Sequence, residues 1–414
     1  EKSSADEMGG AGVQGTGVSP IHPGFSIGGT SRILSRACLR LLWWLGIPGG
    51  WLLHAFLLIL YVLVLLPGLL PAFARYLSSP TILKNVPYGG KFRQQLDVYL
   101  PVVQNGNTKP VPVVFFVTGG AWIIGYKCWA FIMGMCLQRQ GVLCIVPDYR
   151  NFPQVSVEDM VSDLRTALEW TAEHVQRLGG DPSNVSLVGQ SAGAHLSLLL
   201  ASEALDSSLP PLPRLRRWVG ISGPYHIPRL APHLASRGLD QRILQSVMSN
   251  DLERWSPALQ LCRQPAPTAA AIARALPAVC LFHGEADRTV PADQTRELSE
   301  VLRHLGVLIE KQVYYPGKTH TDLILEDPLS GKDSLTMDLL DVVLGQEGGS
   351  PTEHPSNLTS SGKSNTAAVC PVRYSARSTE DVPDRRVVGS TTTTLYPKAL
   401  PTGLVRLARV LCPF

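Results

Sequence analysis

VSLVGQSAGAHLSLLL, residues Val185 to Leu200, sets a run of β-formers directly before Gly-Gln-Ser-Ala-Gly and an apolar, helix-forming run directly after it. Gly189 to Gly193 fits the Gly-x-Ser-x-Gly pattern of a nucleophile elbow, a sharp strand-to-helix turn that exposes a serine at the edge of a sheet. Glycines flank the serine because a side chain at either position would collide with the turn or with a substrate. The pentapeptide alone is weak evidence, since long chains carry it by chance. The strand pattern before it and the helix pattern after it make Ser191 a candidate nucleophile.

On both sides of the elbow the chain alternates strand and helix patterns. Gln95 to Leu100 (QLDVYL) has the alternation of a strand, and Val111 to Val117 (VPVVFFV) is continuously apolar, as a strand covered on both faces must be. Val142 to Val146 reads as another strand. Apolar residues then recur at helical spacing from Val157 to Leu178, until Gly179 and Gly180 end the pattern. Further strands are expected near Trp218 to Ile221, Ala278 to Phe282 and Ile309 to Tyr314. Strands alternating with helices predict an α/β fold, a mostly parallel central sheet with helices on both faces.

A serine hydroxyl is a poor nucleophile until a histidine takes its proton, and the histidine needs a carboxylate to fix its tautomer. With an elbow of this kind the order along the chain is serine, acid, histidine, the order of an α/β-hydrolase. LFHGEAD (Leu281 to Asp287) ends a strand and offers Asp287 in the loop that follows, with Glu285 and Asp293 as rivals nearby. YYPGKTHTD (Tyr314 to Asp322) leaves the next strand and offers His320. His283 reads as a strand-end residue, His304 as part of a helix face, and Asp322 as a helix cap. The oxyanion needs backbone donors. One is the amide of Ala192; others are expected from the loop after VPVVFFV, where Gly119, Gly120 and Ala121 follow Thr118, with Gln190 bordering the same space. Thr118 stands where loops of this kind usually carry a histidine.

That loop also settles how to read Val111 to Met135, an apolar run whose sole charge is Lys127. Its hydropathy suits a membrane span, but Gly119 and Gly120 interrupt it where a catalytic loop needs bare backbone. A better span is WLLHAFLLILYVLVLLPGLLPAFA, Trp51 to Ala74, which has no Asp, Glu, Lys or Arg and is long enough to cross ~30 Å of hydrocarbon. Trp43, Trp44, Trp51 and Tyr76 are placed to meet the interfaces. The expected organisation is a disordered leader (1–36), a membrane anchor (37–77), a catalytic domain (85–345) with a candidate cap at 224–275, a disordered Ser/Thr/Pro-rich insertion (346–402) and an apolar end segment (403–414).

Composition narrows the partners. A net charge of +4 over 414 residues, without Lys/Arg clusters interleaved with aromatics, argues against nucleic acid. The eight cysteines are scattered, with no spacing suited to zinc, and the expected chemistry needs no metal or cofactor.

VTGGAWIIGYKCW, DYRNFPQ, GQSAGAHL, LFHGEAD and YPGKTHTDL, taken together, resemble the plant isoprenylcysteine α-carbonyl methylesterases, from about Arg40 to Asp333 and again in LARVLCPF. The resemblance implies a membrane-bound α/β-hydrolase of the endoplasmic reticulum and Golgi, its catalytic domain facing the cytosol. It implies removal of the methyl ester from prenylated C-terminal cysteines, and a link to abscisic acid signalling. It assigns Ser191, Asp287 and His320 as the triad and TGGA as the oxyanion loop. Two other readings stand beside it, a broader carboxylesterase or lipase and a noncatalytic hydrolase-fold receptor. The tail insertion and RQPAPTAAAIARALPA (Arg263 to Ala278) depart from the family pattern.

Overall fold

The computed structural model describes residues 51–102, 109–263, 269–345 and 398–412. The expected leader, the first part of the anchor and nearly all of the Ser/Thr/Pro-rich insertion lie outside them. In chain order the main elements are α1 (Trp51–Ser78), β1 (Ile82–Pro87), β2 (Gln95–Tyr99), β3 (Val111–Val117), α2 (Phe131–Arg139), β4 (Leu143–Pro147), α3 (Val157–His174), β5 (Gly180–Gln190), α4 (Ala192–Ser202) and β6 (Arg217–Ile221). There follow α5 (Ile227–Ser236), α6 (Gln241–Val247), α7 (Pro257–Arg263), α8 (Ala269–Ala275), β7 (Ala278–Gly284), α9 (Asp293–His304), β8 (Ile309–Tyr315), α10 (Ser334–Leu344) and α11 (Thr402–Leu411).

The strands form one eight-stranded sheet ordered β1-β2-β4-β3-β5-β6-β7-β8. β2 runs antiparallel to both β1 and β4, and every pair from β4 through β8 is parallel. Parallel strands have to be covered on both faces, and the side chains divide accordingly. Val113, Phe115 and Val117 of β3 enter one apolar cluster with Leu143 and Ile145 of β4, while Val114 and Phe116 enter a second with Cys144 and Val146. Each fully buried side chain of this size contributes roughly 1.5–3 kcal/mol.

The first cluster is closed by α3, α4 and the 224–275 segment. Tyr225, Leu230, Leu234 and Trp255 are buried there, and Leu239 packs against it. These apolar residues of the segment expected as a cap pack into the core cluster.

The second cluster is closed by α2, α10, α11 and α1. Tyr61, Leu65, Ala72 and Tyr76 of α1 are buried, and Gly68 fits under Leu400, whose Cγ would lie 2.6 Å from a Cβ added there. These positions are separated by three or four residues, so one stripe of α1 lies along the domain. Tyr76, read as an interfacial aromatic, is in fact buried and donates to Asp97 Oδ2 at 2.5 Å. The other side presents Phe56, Ile59, Val62, Leu63, Leu70, Phe73 and Leu77 to the outside. Phe56–Ser78 is long and apolar enough to cross a membrane, and only 22% of its most apolar stretch is buried.

Candidate active site

The site forms at the carboxyl edge of the sheet, where the ends of β3, β5 and β6 are level: Val117 is opposite Gly189, and Gln190 opposite Ile221. The chain turns from β5 into α4 at Ser191, whose φ of 53° and ψ of −124° lie outside the usual regions for an L-residue. The Ser191 amide donates to the Ile221 carbonyl at 2.8 Å, which pins the turn to β6. Packing against the protein itself requires both flanking glycines. A Cβ at Gly189 would lie 2.4 Å from the Gly193 carbonyl oxygen, and one at Gly193 would lie 2.2 Å from that of Val117.

Asp287 sits three residues beyond β7 and His320 five beyond β8, and the structure brings both to Ser191. His320 Nε2 is 2.8 Å from Ser191 Oγ, and Nδ1 is 2.7 Å from Asp287 Oδ2. All three residues are buried, with Ser191 8% and His320 7% exposed. Asp287 Oδ1 accepts the amides of Thr289 and Val290 at 2.8 and 2.9 Å, so the carboxylate is fixed before it meets the imidazole. Burial alone would raise the Asp287 pKa. His320 and His283 beside it outweigh burial and hold the carboxyl well below its ordinary value.

The rival residues take other parts. Glu285 and Asp293 are exposed, and Asp293 pairs with Arg296. His283 is a buried strand-end residue whose ring contacts Thr295 Oγ1 and the Val290 carbonyl. His304 ends α9. Asp322, read as a cap for the helix after it, reaches backwards instead: its Oδ2 accepts the amide of Thr319 at 2.8 Å.

The loop after β3 lies against the nucleophile. A Cβ at Gly119 would be 2.5 Å from Gln190 Oε1 and 2.8 Å from Ser191 Cβ, so a bare backbone is required here. The loop then turns through left-handed conformations at Ala121 (φ 49°) and Trp122 (φ 62°), each costing on the order of 1–3 kcal/mol. Ala192 opens α4, so its amide has no carbonyl a turn behind it and belongs to the positive end of the helix dipole.

The structure also answers what braces this loop with threonine at 118. The segment DYRNF after β4, quoted above only as part of the family resemblance, takes that part. Tyr149 Oη donates to the Thr118 carbonyl (2.9 Å), Asn151 Nδ2 to those of Ile123 (3.1 Å) and Gly125 (2.7 Å), and the Phe152 amide to that of Trp122 (2.9 Å). From the other side Trp122 Nε1 donates to His195 Nδ1 at 3.2 Å, and His195 Nε2–H donates to the Trp255 carbonyl. Burial lowers the His195 pKa to about 4, keeping the neutral ring that this pattern of one acceptor and one donor requires.

A nucleophile elbow, with an acid and a histidine following it in order on a mostly parallel sheet, defines an α/β-hydrolase. The fold matches that of esterase B from Lactobacillus rhamnosis in an inhibited crystal form, with a TM-score of 0.54 and 18% identity over 69% of this chain and 95% of that one. The BD-FAE family model matches residues 96–302. Two Arabidopsis thaliana proteins are more similar in sequence. The isoprenylcysteine alpha-carbonyl methylesterase ICME is 36% identical over 324 residues, 76% of this chain and 74% of that protein. The probable isoprenylcysteine alpha-carbonyl methylesterase ICMEL1 is 38% identical over 325 residues, 76% of this chain and 67% of that protein. The chain belongs to the isoprenylcysteine alpha-carbonyl methylesterase family and is a carboxylic ester hydrolase.

Proposed function

We propose that this chain is a serine esterase that removes the methyl ester from prenylated C-terminal cysteines, working at a membrane surface. The observation that carries the mechanism is the continuous hydrogen-bonded path Ser191 Oγ–His320–Asp287. Nε2 of His320 takes the hydroxyl proton as Oγ attacks the ester carbonyl, and Asp287 steadies the resulting imidazolium. The developing oxyanion is held by the amides of Ala192 and of the Gly120–Ala121 turn, each donor contributing ~3 kcal/mol in a fixed site. His320 then gives its proton to the methoxide, methanol leaves, and a water activated by the same nitrogen hydrolyses the acyl-enzyme. The methylesterase relatives support the choice of ester.

The apolar outer side of α1 supports the location. A helix docked by one stripe and apolar on the other sets its exposed face in the bilayer while holding the domain beside it. A prenyl chain partitions into the same layer, so enzyme and substrate meet at high effective concentration. The membrane we assign is that of the endoplasmic reticulum and Golgi, with the catalytic domain on the cytosolic side.

Methanol release from farnesylcysteine methyl ester, by the wild type and by Ser191→Ala, tests both parts. Loss of release in the variant supports Ser191 as nucleophile; full retention refutes it. A broader carboxylesterase is favoured by one observation, the packing of the apolar residues of 224–275 into the core. Equal kcat/KM on the farnesyl ester and on short nitrophenyl esters would establish that second reading and exclude the first.

A further inference from the structure

Both neighbours of His320 are held from outside their own loop. On one side the Thr319 amide donates to Asp322 Oδ2 (2.8 Å), and Asp322 Oδ1 is 2.5 Å from Arg409 Nε on α11. On the other side Thr321 Oγ1 donates to Glu326 Oε1 (2.9 Å), and the same oxygen accepts Tyr61 Oη of α1 (2.7 Å). Thr321 Oγ1 also lies 3.6 Å from Cys412 Sγ, just past the end of α11. Gly68 of α1 packs against Leu400, two residues before α11, and the Ala399 and Leu400 amides both donate to the Leu329 carbonyl.

We propose that Arg409 is a positioning residue for the esterase reaction, acting through Asp322 to hold the loop that carries His320. This rests on the reading of Ser191, His320 and Asp287 as the catalytic triad. Asp322, Glu326 and Asp327 are fully or almost fully buried within six residues of one another. Lys318 pairs with Asp327, and the cation bound to Asp322 is Arg409, which also reaches Asp327 at 3.4 Å. Without the guanidinium, Asp322 becomes a buried carboxylate that lacks its partner cation. Its way back to water is to swing out of the cluster, and its bond to the Thr319 amide carries His320 with it. Arg409 itself does not touch His320, and its side chain is 28% exposed at the rim of the domain. Its removal therefore disturbs the loop more than the core. An imidazole displaced by about 1 Å from a nucleophile loses on the order of a hundredfold in rate.

The test compares kcat and KM on one methyl ester for full-length wild type, Ser191→Ala, Arg409→Ala, Arg409→Lys, Asp322→Asn and the double variant Arg409→Ala/Asp322→Asn, with thermal melts as the check on folding. Arg409→Ala is expected to lose 10- to 100-fold in kcat with KM changed less than threefold, and to label more slowly with a fluorophosphonate. Arg409→Lys should restore part of the loss. The double variant, which keeps an acceptor for Thr319 and removes the stranded charge, should exceed Arg409→Ala. A folded Arg409→Ala with wild-type kcat overturns the proposal. So does a Lys variant or a double variant no better than Arg409→Ala. If Arg409→Ala does not fold, the Lys and double variants decide by the same comparison with wild type, and wild-type rates in both overturn the proposal. If Ser191→Ala matches the wild type, the triad reading fails instead.

Discussion

Tyr149 Oη donates to the Thr118 carbonyl across 2.9 Å, tying the strand that ends at Pro147 to the loop that lies against Ser191. Loops of this kind usually carry a brace of their own in the histidine before the glycines; here it comes from the neighbouring strand's exit. Tyr149→Phe removes one of the hydrogen bonds across this junction, and one such bond is worth about 1 kcal/mol. The loop's left-handed residues then have less to hold them. The expected result is a five- to tenfold fall in kcat on a methyl ester, with KM within twofold. Unchanged kcat would mean that Asn151 and Phe152 suffice.

Asp287 offers a sharper test, because its two oxygens do different things. Oδ1 holds the loop through Thr289 and Val290, while Oδ2 meets His320. Asp287→Asn can keep the first set and must spoil the second, since an amide NH₂ facing Nδ1 selects the wrong tautomer. We expect kcat to fall about 10⁴-fold while the protein still folds. Glu285→Gln and Asp293→Asn, both at exposed carboxylates, should stay within twofold. A loss shared among the three would refute the assignment.

How far the sequence reached can be seen at particular residues. Val113 to Val117 and the elbow were readable because burial on two faces and a strand-to-helix turn both leave local patterns. β1 (ILKNVP) went unread, since an edge strand half exposed and bent by Asn85 at φ 58° carries no such pattern. The order serine, acid, histidine pointed to Asp287 but left Glu285 and Asp293 standing; two amide bonds and one imidazole distinguish them, and these exist only after the loop folds. The braces Tyr149, Asn151, Tyr61 and Arg409 were illegible for the same reason. Each acts on a residue 26 or more positions away. The expected separation of anchor and end segment from the catalytic domain followed from composition, which cannot register that α1 and α11 close one face of the sheet.

Glu326 gives the fold a pH signature. Burial, then the charge of Asp322, raise its pKa to about 7 against the opposing bonds from Tyr61 and Thr321. A carboxyl raised by folding contributes stability that is fully present below its unfolded pKa, about 4.5, and is lost as pH rises through 7. That loss is on the order of 3 kcal/mol. The melting temperature of the wild type should therefore fall between pH 5 and pH 8 by more than that of Glu326→Gln, which has no proton to lose. Parallel pH dependences in the two proteins would show that Glu326 stays charged in the fold.

Lys127, the one charge in the apolar run from Val111 to Met135, is 2% exposed, and its Nζ lies 2.6 Å from Asp97 Oδ1 and 2.7 Å from Asn85 Oδ1. Asp97 also accepts Tyr76 Oη and the Asn85 amide, so the ion pair joins α1, β1, β2 and the exit of the catalytic loop. A buried pair contributes little compared with well-packed apolar residues, but removing one partner leaves the other charge uncompensated. Lys127→Met should therefore lower the unfolding free energy by about 3–5 kcal/mol, read from urea denaturation. Adding Asp97→Asn should recover part of that loss, because the amide oxygen still accepts from the Asn85 amide and the NH₂ can donate to Tyr76 Oη, without stranding a charge. If the second substitution deepens the loss by its full single-variant value, the two side chains are uncoupled, and the ion pair is not what fastens α1 to the sheet.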